Sequence, residues 1–466
     1  MRNKKNLKVH FIGIGGIGMS SLALFLLKNN YQVSGSDIGN DPSIYKLKKN
    51  GCVFFNKHSN ENITDQNLII YSSAIKSNNP EILQAKNKNI EILKRGEALG
   101  FFTKKMKNIT VSGCHGKSTT TSMTHLLVKN TGNDSTAFIG ALDRKLNSNF
   151  YSGGSNLCII EGDESDNSFN KINSYISVVT NIDNDHLDFY KTQKNLLEAF
   201  RTFILKTKKK AIVNNDCKLT RKLLKSIKTN KLIKFGQFHI KENDYSFEII
   251  ENKSGFDIRL YKREKDLGIF KSKLYGEYNA YNLVASIIVA LELGINSSDL
   301  RANTKKCLAP RRRFETILKN KELTIIDDYA HHPAAIKAIR KTIEKNFENQ
   351  NIVLIFQPHR FSRTKILLKD FVEELSKWKK IYMVDIYSAF ERTKIDADSL
   401  YKKIKLNKVD ITYFSNKNSL VKKIISDISK KNYTIITMGA GDIRNVGLAI
   451  KKQTQSTLSL SFRKEN

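Results

Sequence analysis

The run Ile109-Thr110-Val111-Ser112-Gly113-Cys114-His115-Gly116-Lys117-Ser118-Thr119-Thr120-Thr121 decides the fold. Its β-branched start reads as a buried strand, Gly113 to Gly116 as a tight turn, and Lys117-Ser118 as the opening of a helix. Such a turn aims successive backbone N–H groups into one concavity at a helix N-terminus, an anion seat even before Lys117 adds its charge. A nucleotide phosphate fits there, with Lys117 on β- and γ-phosphate oxygens and the Ser118 hydroxyl on Mg2+. The strict phosphate-loop pattern wants a further glycine where Val111 stands, so only Gly113-x-x-Gly116-Lys117-Ser118 is met. On this run alone, a glycine turn that merely caps a helix remains the other reading.

A chain of 466 residues has room for about three domains, each with its own core. Hydrophobic residues at 40% and charged residues at 27% fit an ordinary globular chain. The net charge of +34 points first to nucleic acid or an anionic membrane. The lysines, however, are scattered among Asn and Ile with no long basic tail and no aromatic-interleaved patch, so no nucleic-acid partner is expected. Five cysteines without a C-x-x-C pair (Cys52, Cys114, Cys158, Cys217, Cys307) imply neither a zinc site nor a disulfide framework, which suits a reducing compartment. Lys4, Lys5 and Lys8 precede a nearly uncharged run that imitates a signal peptide. Gly13, Gly15, Gly16 and Gly18 sit where a membrane helix should be densest, so no membrane anchor and a cytoplasmic location are expected.

In the first segment, a strand from Leu7, the turn Gly13-x-Gly15-x-x-Gly18, a helix over 19–27 and a strand over Tyr31 to Ser36 ending at Asp37 make the dinucleotide-binding pattern. Backbone approaches a diphosphate there and a carboxylate takes a ribose hydroxyl; NAD, FAD and a nucleotide sugar all remain open. Short strands at 68–71 and 90–92 continue this α/β domain to a polar connector near Lys105.

The second segment carries two strands that end in acidic loops. Leu157 to Ile160 delivers Glu161-Gly162-Asp163-Glu164-Ser165-Asp166, and Ser177 to Ile182 delivers Asp183-Asn184-Asp185-His186-Leu187-Asp188. Oxygen-rich loops beside a phosphate turn suit Mg2+, and a neutral His186 would complete or border such a site. Residues 235–269 alternate as antiparallel strands do, and a helix is expected over 283–293. Asn279 and Asn282 share a face at its start, able either to cap it or to read a purine edge.

Beyond the basic hinge Arg311-Arg312-Arg313-Phe314 a third α/β unit begins. Its strand 323–326 delivers Asp327-Asp328-Tyr329-Ala330-His331-His332 ahead of the first-turn proline Pro333 of a helix. A strand over 352–356 delivers Gln357-Pro358-His359-Arg360-Phe361-Ser362-Arg363, where Arg360 and Arg363 can clamp an anion if a turn or helix follows Pro358. Three further strands end at Asp385, Phe414 and Gly439.

Taken in this order, the motifs closely resemble the Mur ligases from His10 to Gly447; the carrying stretches are 10–20, 161–169, 181–186, 327–333 and 356–364. The resemblance implies an α/β fold of three domains. Residues 1–105 would form a Rossmann-like UDP-sugar domain, 106–312 a P-loop-type ATPase domain with added antiparallel strands, and 313–466 a Rossmann-like domain closing over ATP and amino acid. It also implies a ligase that joins L-alanine to UDP-N-acetylmuramate with ATP and Mg2+, or alternatively one that recycles murein tripeptide, as a monomer or homodimer. The first glycine turn then becomes a UDP seat, with Gly13, Gly15, Gly16, Gly18, Ser36, Asp37, Ser72 and Ser73 on the substrate side. Gly113, Cys114, His115, Gly116, Lys117, Ser118, Thr119, Asn279, Asn282, Arg313 and Asp328 would serve ATP. Ser118, Glu161 and His186 would hold the metal, and His331, His359, Arg360 and Arg363 the substrates. Lys117, Glu161, His186, Arg313 and Asp328 would be catalytic. Two departures stand out: Cys114 and Ser118 replace threonines usual in the family's turn, and Lys94-Arg95-Gly96-Glu97 departs from its usual arginine-rich segment.

Overall fold

The computed structural model describes residues 7–466 apart from 40, 239–241, 253–254, 348–350, 390, 392–396, 429–431 and 463–466, and without the side chains of 188 and 456–462. Lys4, Lys5 and the Asp188 side chain therefore lie outside the described residues. By its internal contacts the chain divides into two units, residues 1–274 with 278–310, and residues 275–277 with 311–466.

The first unit holds two sheets. β1 (Lys8–Ile12), β2 (Gln32–Ser36), β3 (Val53–Phe55), β4 (Leu68–Tyr71) and β5 (Glu91–Lys94) form a parallel sheet in the order β3-β2-β1-β4-β5. Strand order reverses at β1, so the turn leaving β1 opens at the sheet's switch point, where doubly wound folds bind ligands. The helix Ile17–Lys28 that follows has buried every residue from Met19 to Leu26. An all-round apolar helix needs cover on both faces, and here one face meets β1 and β2 while the other meets the next sheet: Phe25 lies 5.4 Å from Phe138 and 6.2 Å from Phe150, ring to ring.

That next sheet comprises β6 (Lys107–Ser112), β7 (Thr136–Asp143), β8 (Ser148–Tyr151), β9 (Leu157–Glu161), β10 (Ser174–Val179), β11 (Lys210–Asn214), β12 (Leu232–Gln237), β13 (Tyr245–Asn252), β14 (Gly255–Lys262) and β15 (Lys265–Lys271). Its order is β15-β14-β13-β12-β11-β10-β6-β9-β7-β8. β6, which feeds the phosphate turn, lies between β9 and β10, so both acidic loops emerge beside it. β7 and β8 pair antiparallel at one edge, and within the 235–269 stretch antiparallel pairing begins only at β13, since β12 runs parallel to it, against the sequence expectation for the whole stretch. The helix expected over 283–293 starts earlier, at Glu277–Glu292, directly after Gly276 at φ +87°.

The second unit is one sheet, β16 (Glu315–Lys319), β17 (Leu323–Asp328), β18 (Asn351–Phe356), β19 (Lys380–Val384), β20 (Asp410–Phe414) and β21 (Tyr433–Met438), ordered β16-β17-β21-β18-β19-β20. All its pairs are parallel except β16 with β17. Pro333 opens the helix Pro333–Asn346, whose Ile336, Ile339 and Ile343 are buried, and the helix Phe361–Ile366 follows Pro358 and sets Arg360 at its start.

Candidate active site

The glycine turn after β1 is held by β2 and its exit. Gly13, at φ +79°, and Ile14 both donate backbone N–H to Ser36 O, at 2.8 and 3.0 Å. Gly15 N and Gly39 N donate to the two carboxylate oxygens of Asp37, at 2.8 and 2.9 Å, so Asp37 shapes the turn it borders. Gly16 precedes the helix, Ser72 lies against Gly13, and Ser73 beside it is exposed. The Ser36 hydroxyl is fully buried and donates to Glu81 Oε2 at 2.7 Å, because the last side chain of β2 falls on the sheet face carrying Glu81 and His58. Only its backbone serves the turn.

At the phosphate turn, Gly113 (φ +136°) and Gly116 (φ +85°) adopt backbone that other residues rarely tolerate. The loop after β10 clamps the turn from outside: Asn181 Oδ1 accepts from His115 N at 2.9 Å, Asn181 Nδ2 donates to His115 O at 2.8 Å, and Thr180 Oγ1 to His115 O at 2.6 Å. Cys114 has a structural reason. Its thiol accepts from Asp183 N at 3.1 Å and donates to Asp183 O at 3.4 Å, pinning the turn to the second acidic loop. Thr119, the third residue of the helix Lys117–Asn130, is buried.

Lys117 Nζ donates to Gly113 O and to Glu164 Oε1, each at 2.8 Å. Burial disfavours its charge, but Glu164, Asp163 and Glu161 outweigh burial and hold its pKa above the ordinary lysine range. Ser118 Oγ donates to Glu161 Oε1 at 3.1 Å, and Gly140 N donates to Glu161 Oε2 at 2.6 Å. His186 Nε2 stands 3.3 Å from Glu164 Oε1, so it joins the Lys117 partner rather than Ser118 and Glu161. Glu164 is the residue the sequence reading left out of the site. Its signal was present, three residues beyond Glu161 in the same acidic run; fully buried, it binds Lys117 through one oxygen and leaves Oε2 without a hydrogen-bond partner.

That orphaned oxygen, with the Ser118 hydroxyl, the Glu161 carboxylate and the His186 imidazole, is a donor set suited to a hard divalent cation sharing its shell with phosphate and water. Among the described residues no three His, Cys, Asp or Glu side chains form a closed metal cage. Asn282 Oδ1 accepts from Thr120 Oγ1 at 3.1 Å, its Nδ2 donates to Asn279 Oδ1 at 3.3 Å, and a Cβ on Gly116 would meet Asn282 Oδ1 at 2.3 Å. Both asparagines are buried, and Asn282 lies against the phosphate turn itself with Asn279 bonded behind it.

In the second unit, Asp328 is buried and accepts from Phe314 N and Ala330 N, each at 2.7 Å. Burial pushes its carboxyl up to about 6, opposed by Arg313, whose guanidinium lies 5.2 Å from the Tyr329 ring centre. His359 stacks on Tyr387 at 5.7 Å and meets His331 edge to face at 5.4 Å, with Arg363 Nη1 3.3 Å from His359 Nδ1. Arg360 is exposed at φ +68°. Burial, then Arg363, lowers His331 to about 3 and His359 to about 4.

A folded pKa below the unfolded value means that the unfolded chain binds more protons below pH 6.5. Stability from neutral His331 is therefore lost as pH falls, by about 2 kcal/mol between pH 6.5 and 5. Trp378, the only tryptophan, lies buried in this unit and reports its unfolding in urea. His331→Asn should lose about 2 kcal/mol less than the parent between pH 7 and 5; equal losses would refute the assignment.

Comparison with known proteins follows the same lines. Family models for the Mur ligase family catalytic domain, the Mur ligase middle domain and the Mur ligase glutamate ligase domain match residues 8–107, 111–290 and 312–441. The chain belongs to the Mur ligase family. It is 37% identical over 448 residues to the UDP-N-acetylmuramate–L-alanine ligase of Hydrogenobaculum sp. (strain Y04AAS1), covering 95% of this chain and 98% of that protein. With the enzyme of that name from Buchnera aphidicola it shares 39% over 467 residues, 96% of each. Among solved structures, the UDP-N-acetylmuramate–alanine ligase of Thermotoga maritima superposes with a TM-score of 0.82 at 27% identity, covering 97% of this chain and 100% of that one. A murein peptide ligase from Psychrobacter arcticus shares the fold, with a TM-score of 0.70 at 18% identity over 96% of this chain and 98% of that one.

Proposed function

We infer that the protein is an ATP-dependent ligase that forms the amide between L-alanine and the lactyl carboxylate of UDP-N-acetylmuramate, a step of peptidoglycan precursor synthesis. The observation that carries this reading is Lys117, set in a phosphate turn and gripped by Glu164, within the same compact unit as a second glycine turn of diphosphate type. A dehydrogenase would use only the second of these, and a nucleotide-switched binding protein only the first.

A carboxylate does not acylate an amine at neutral pH, so ATP first gives it the γ-phosphoryl group and leaves as ADP, and the alanine amine then attacks the acyl phosphate, losing a proton and expelling inorganic phosphate as the amide forms. The chain's part is electrostatic. Lys117 and the turn's N–H groups balance charge on the transferring phosphoryl group, a fixed arrangement that needs no reorganisation during the reaction. Ser118, Glu161, Glu164 and His186 would hold Mg2+, which neutralises phosphate charge and orients the oxygens. Asn279 and Asn282 would border the nucleotide. Residues 1–105 would carry the UDP-sugar, 106–312 the ATP chemistry and 313–466 the amino acid, with Arg313 and Asp328 toward ATP and His331, His359, Arg360 and Arg363 toward the reacting carboxylate and amino acid. His331 and His359, neutral at physiological pH, would contribute as hydrogen-bonding groups rather than as charges. Among the described residues no helix is long and apolar enough to cross a membrane, and we place the enzyme in the cytoplasm, where its nucleotide substrates are.

The test is phosphate release from ATP and Mg2+ with UDP-N-acetylmuramate, comparing L-alanine, glycine, L-serine and murein tripeptide. Release that requires both the sugar nucleotide and L-alanine is expected. Release with tripeptide alone would move the protein to the recycling branch, and none with any acceptor would overturn the ligase reading.

A further inference from the structure

Arg95 opens the helix Arg95–Thr103, and its Nη2 donates to Asp163 Oδ2 at 3.1 Å. The guanidinium also lies along the first turn of the helix Ile17–Lys28: a β-carbon on Gly18 would stand 3.0 Å from Arg95 Cδ and from Nη1. Asp163 precedes Glu164, the partner of Lys117, and its carboxyl is held below the ordinary range, against burial, by Arg95 and Lys117. One ion pair, its side chains 19% and 38% exposed, therefore spans from the first glycine turn to the acidic loop of the phosphate site.

The backbone leaves this span little freedom. A β-carbon on Gly100 would stand 2.1 Å from Lys171 O, so the helix Arg95–Thr103 rests directly on the chain that leaves the acidic loop. Asn149 of β8 donates to Ile17 O at 2.5 Å and to Ser20 Oγ at 3.2 Å, tying the other helix to the central sheet. Among the described residues the Asp163 bond is the one hydrogen bond of the Arg95 side chain, so its other donors have no protein acceptor.

We propose that Arg95 couples the two ligand seats, its bond to Asp163 being broken by whichever ligand binds first and no longer opposing the second. The proposal rests on reading the Gly13–Gly18 turn as the diphosphate seat. A diphosphate there draws the guanidinium toward itself, and Mg2+-loaded ATP beside Lys117 draws the Asp163 carboxylate. Each ligand thus competes with the same internal ion pair, and the first to bind bears the cost of parting it. The second does not, which makes the coupling positive and, by linkage, reciprocal. Arg95 is a positioning residue in this scheme, acting on the nucleotide seat through Asp163.

Calorimetric titration of UDP-N-acetylmuramate, with and without Mg2+ and a non-hydrolysable ATP analogue and with no alanine present, tests it. In the parent protein the analogue should tighten sugar-nucleotide binding by about five-fold or more. Arg95→Ala should bind the sugar nucleotide more weakly when alone and gain less than about two-fold from the analogue. Asp163→Asn should bind it at least as tightly as the parent when alone, yet gain equally little, whereas a merely structural bridge would weaken both variants alike. Arg95→Lys should restore part of the gain. Undiminished coupling in either neutral variant, or equal weakening of both, overturns the proposal. Tight but uncoupled binding by the parent overturns it alone, and absence of binding by the parent overturns the ligase reading beneath it.

Discussion

Replacing Lys117 with alanine should lower turnover by at least about 10³-fold while leaving affinity for UDP-N-acetylmuramate within about two-fold. The ammonium bonds Gly113 O and Glu164 Oε1 inside the phosphate turn, with a weaker contact to Cys114 O at 3.3 Å. The diphosphate turn uses none of these atoms. The substitution has a second consequence that must be separated from the first. Glu164 is fully buried, already has one orphaned oxygen, and would lose its only lysine partner, keeping His186 at 3.3 Å. An uncompensated buried carboxylate costs of order 2 kcal/mol or more, so Lys117→Ala should also lower the unfolding midpoint. Adding Glu164→Gln removes that charge and should recover most of the midpoint without recovering turnover. Phosphate release and thermal unfolding of the single and double variants decide it. A double variant with restored stability and near-normal turnover would show that Lys117 is structural.

Sequence patterns that are local, or that mark strand ends, carried most of this reading. The turn after β1, the phosphate turn, the strand 68–71 and the acidic loops each follow from a β-branched run meeting glycine or carboxylates, and the structure places them there. What the sequence hides depends on partners far along the chain. The three-residue edge strand β3 has too short a pattern to stand out, and the hairpin of β7 and β8 is defined by its packing on the helix Ile17–Lys28. The continuous apolar face of that helix was legible, but not that two sheets share it. Ser36 reads as the last residue of a strand, and its hydroxyl is buried against Glu81, since alternation along β2 does not reveal what covers each face. Cys114 looked arbitrary until Asp183, brought alongside by the parallel neighbour β10, supplied both a donor and an acceptor for its thiol. The sequence puts His186 in an acidic loop near the phosphate turn, but that its neighbour there is Glu164 depends on the register of β6 between β9 and β10.

Glu81→Ala should destabilise the first unit by about 3–5 kcal/mol and weaken UDP-N-acetylmuramate binding while sparing ATP binding. Glu81 is fully buried, yet its carboxylate meets His58 Nδ1, Ser36 Oγ and Asn62 Nδ2 at 2.7 Å and His10 Nε2 at 3.2 Å. Burial alone would raise its pKa; the bonds from His10, His58, Asn62 and Ser36 outweigh burial and hold it at about 2. A depressed acid contributes stability that is present above its unfolded value near 4.5 and is lost as pH falls toward 2. His58 runs the other way. Its pKa is raised chiefly by the bond to Glu81, so its contribution is complete below pH 6.5 and is lost as pH rises through the folded value. The network is therefore strongest from about pH 4.5 to 6.5, and the difference in unfolding free energy between parent and Glu81→Ala should be largest in that window. Its link to function is Ser36, whose hydroxyl answers to Glu81 while its carbonyl holds Gly13 N and Ile14 N. Truncating Glu81 frees the hydroxyl, loosens that peptide, and blurs the positions of the N–H groups meant for a diphosphate. Titration of UDP-N-acetylmuramate against the variant should show about a ten-fold loss of affinity, the equivalent of one misplaced hydrogen bond. Unchanged affinity with lowered stability would confine the network to holding the sheet together.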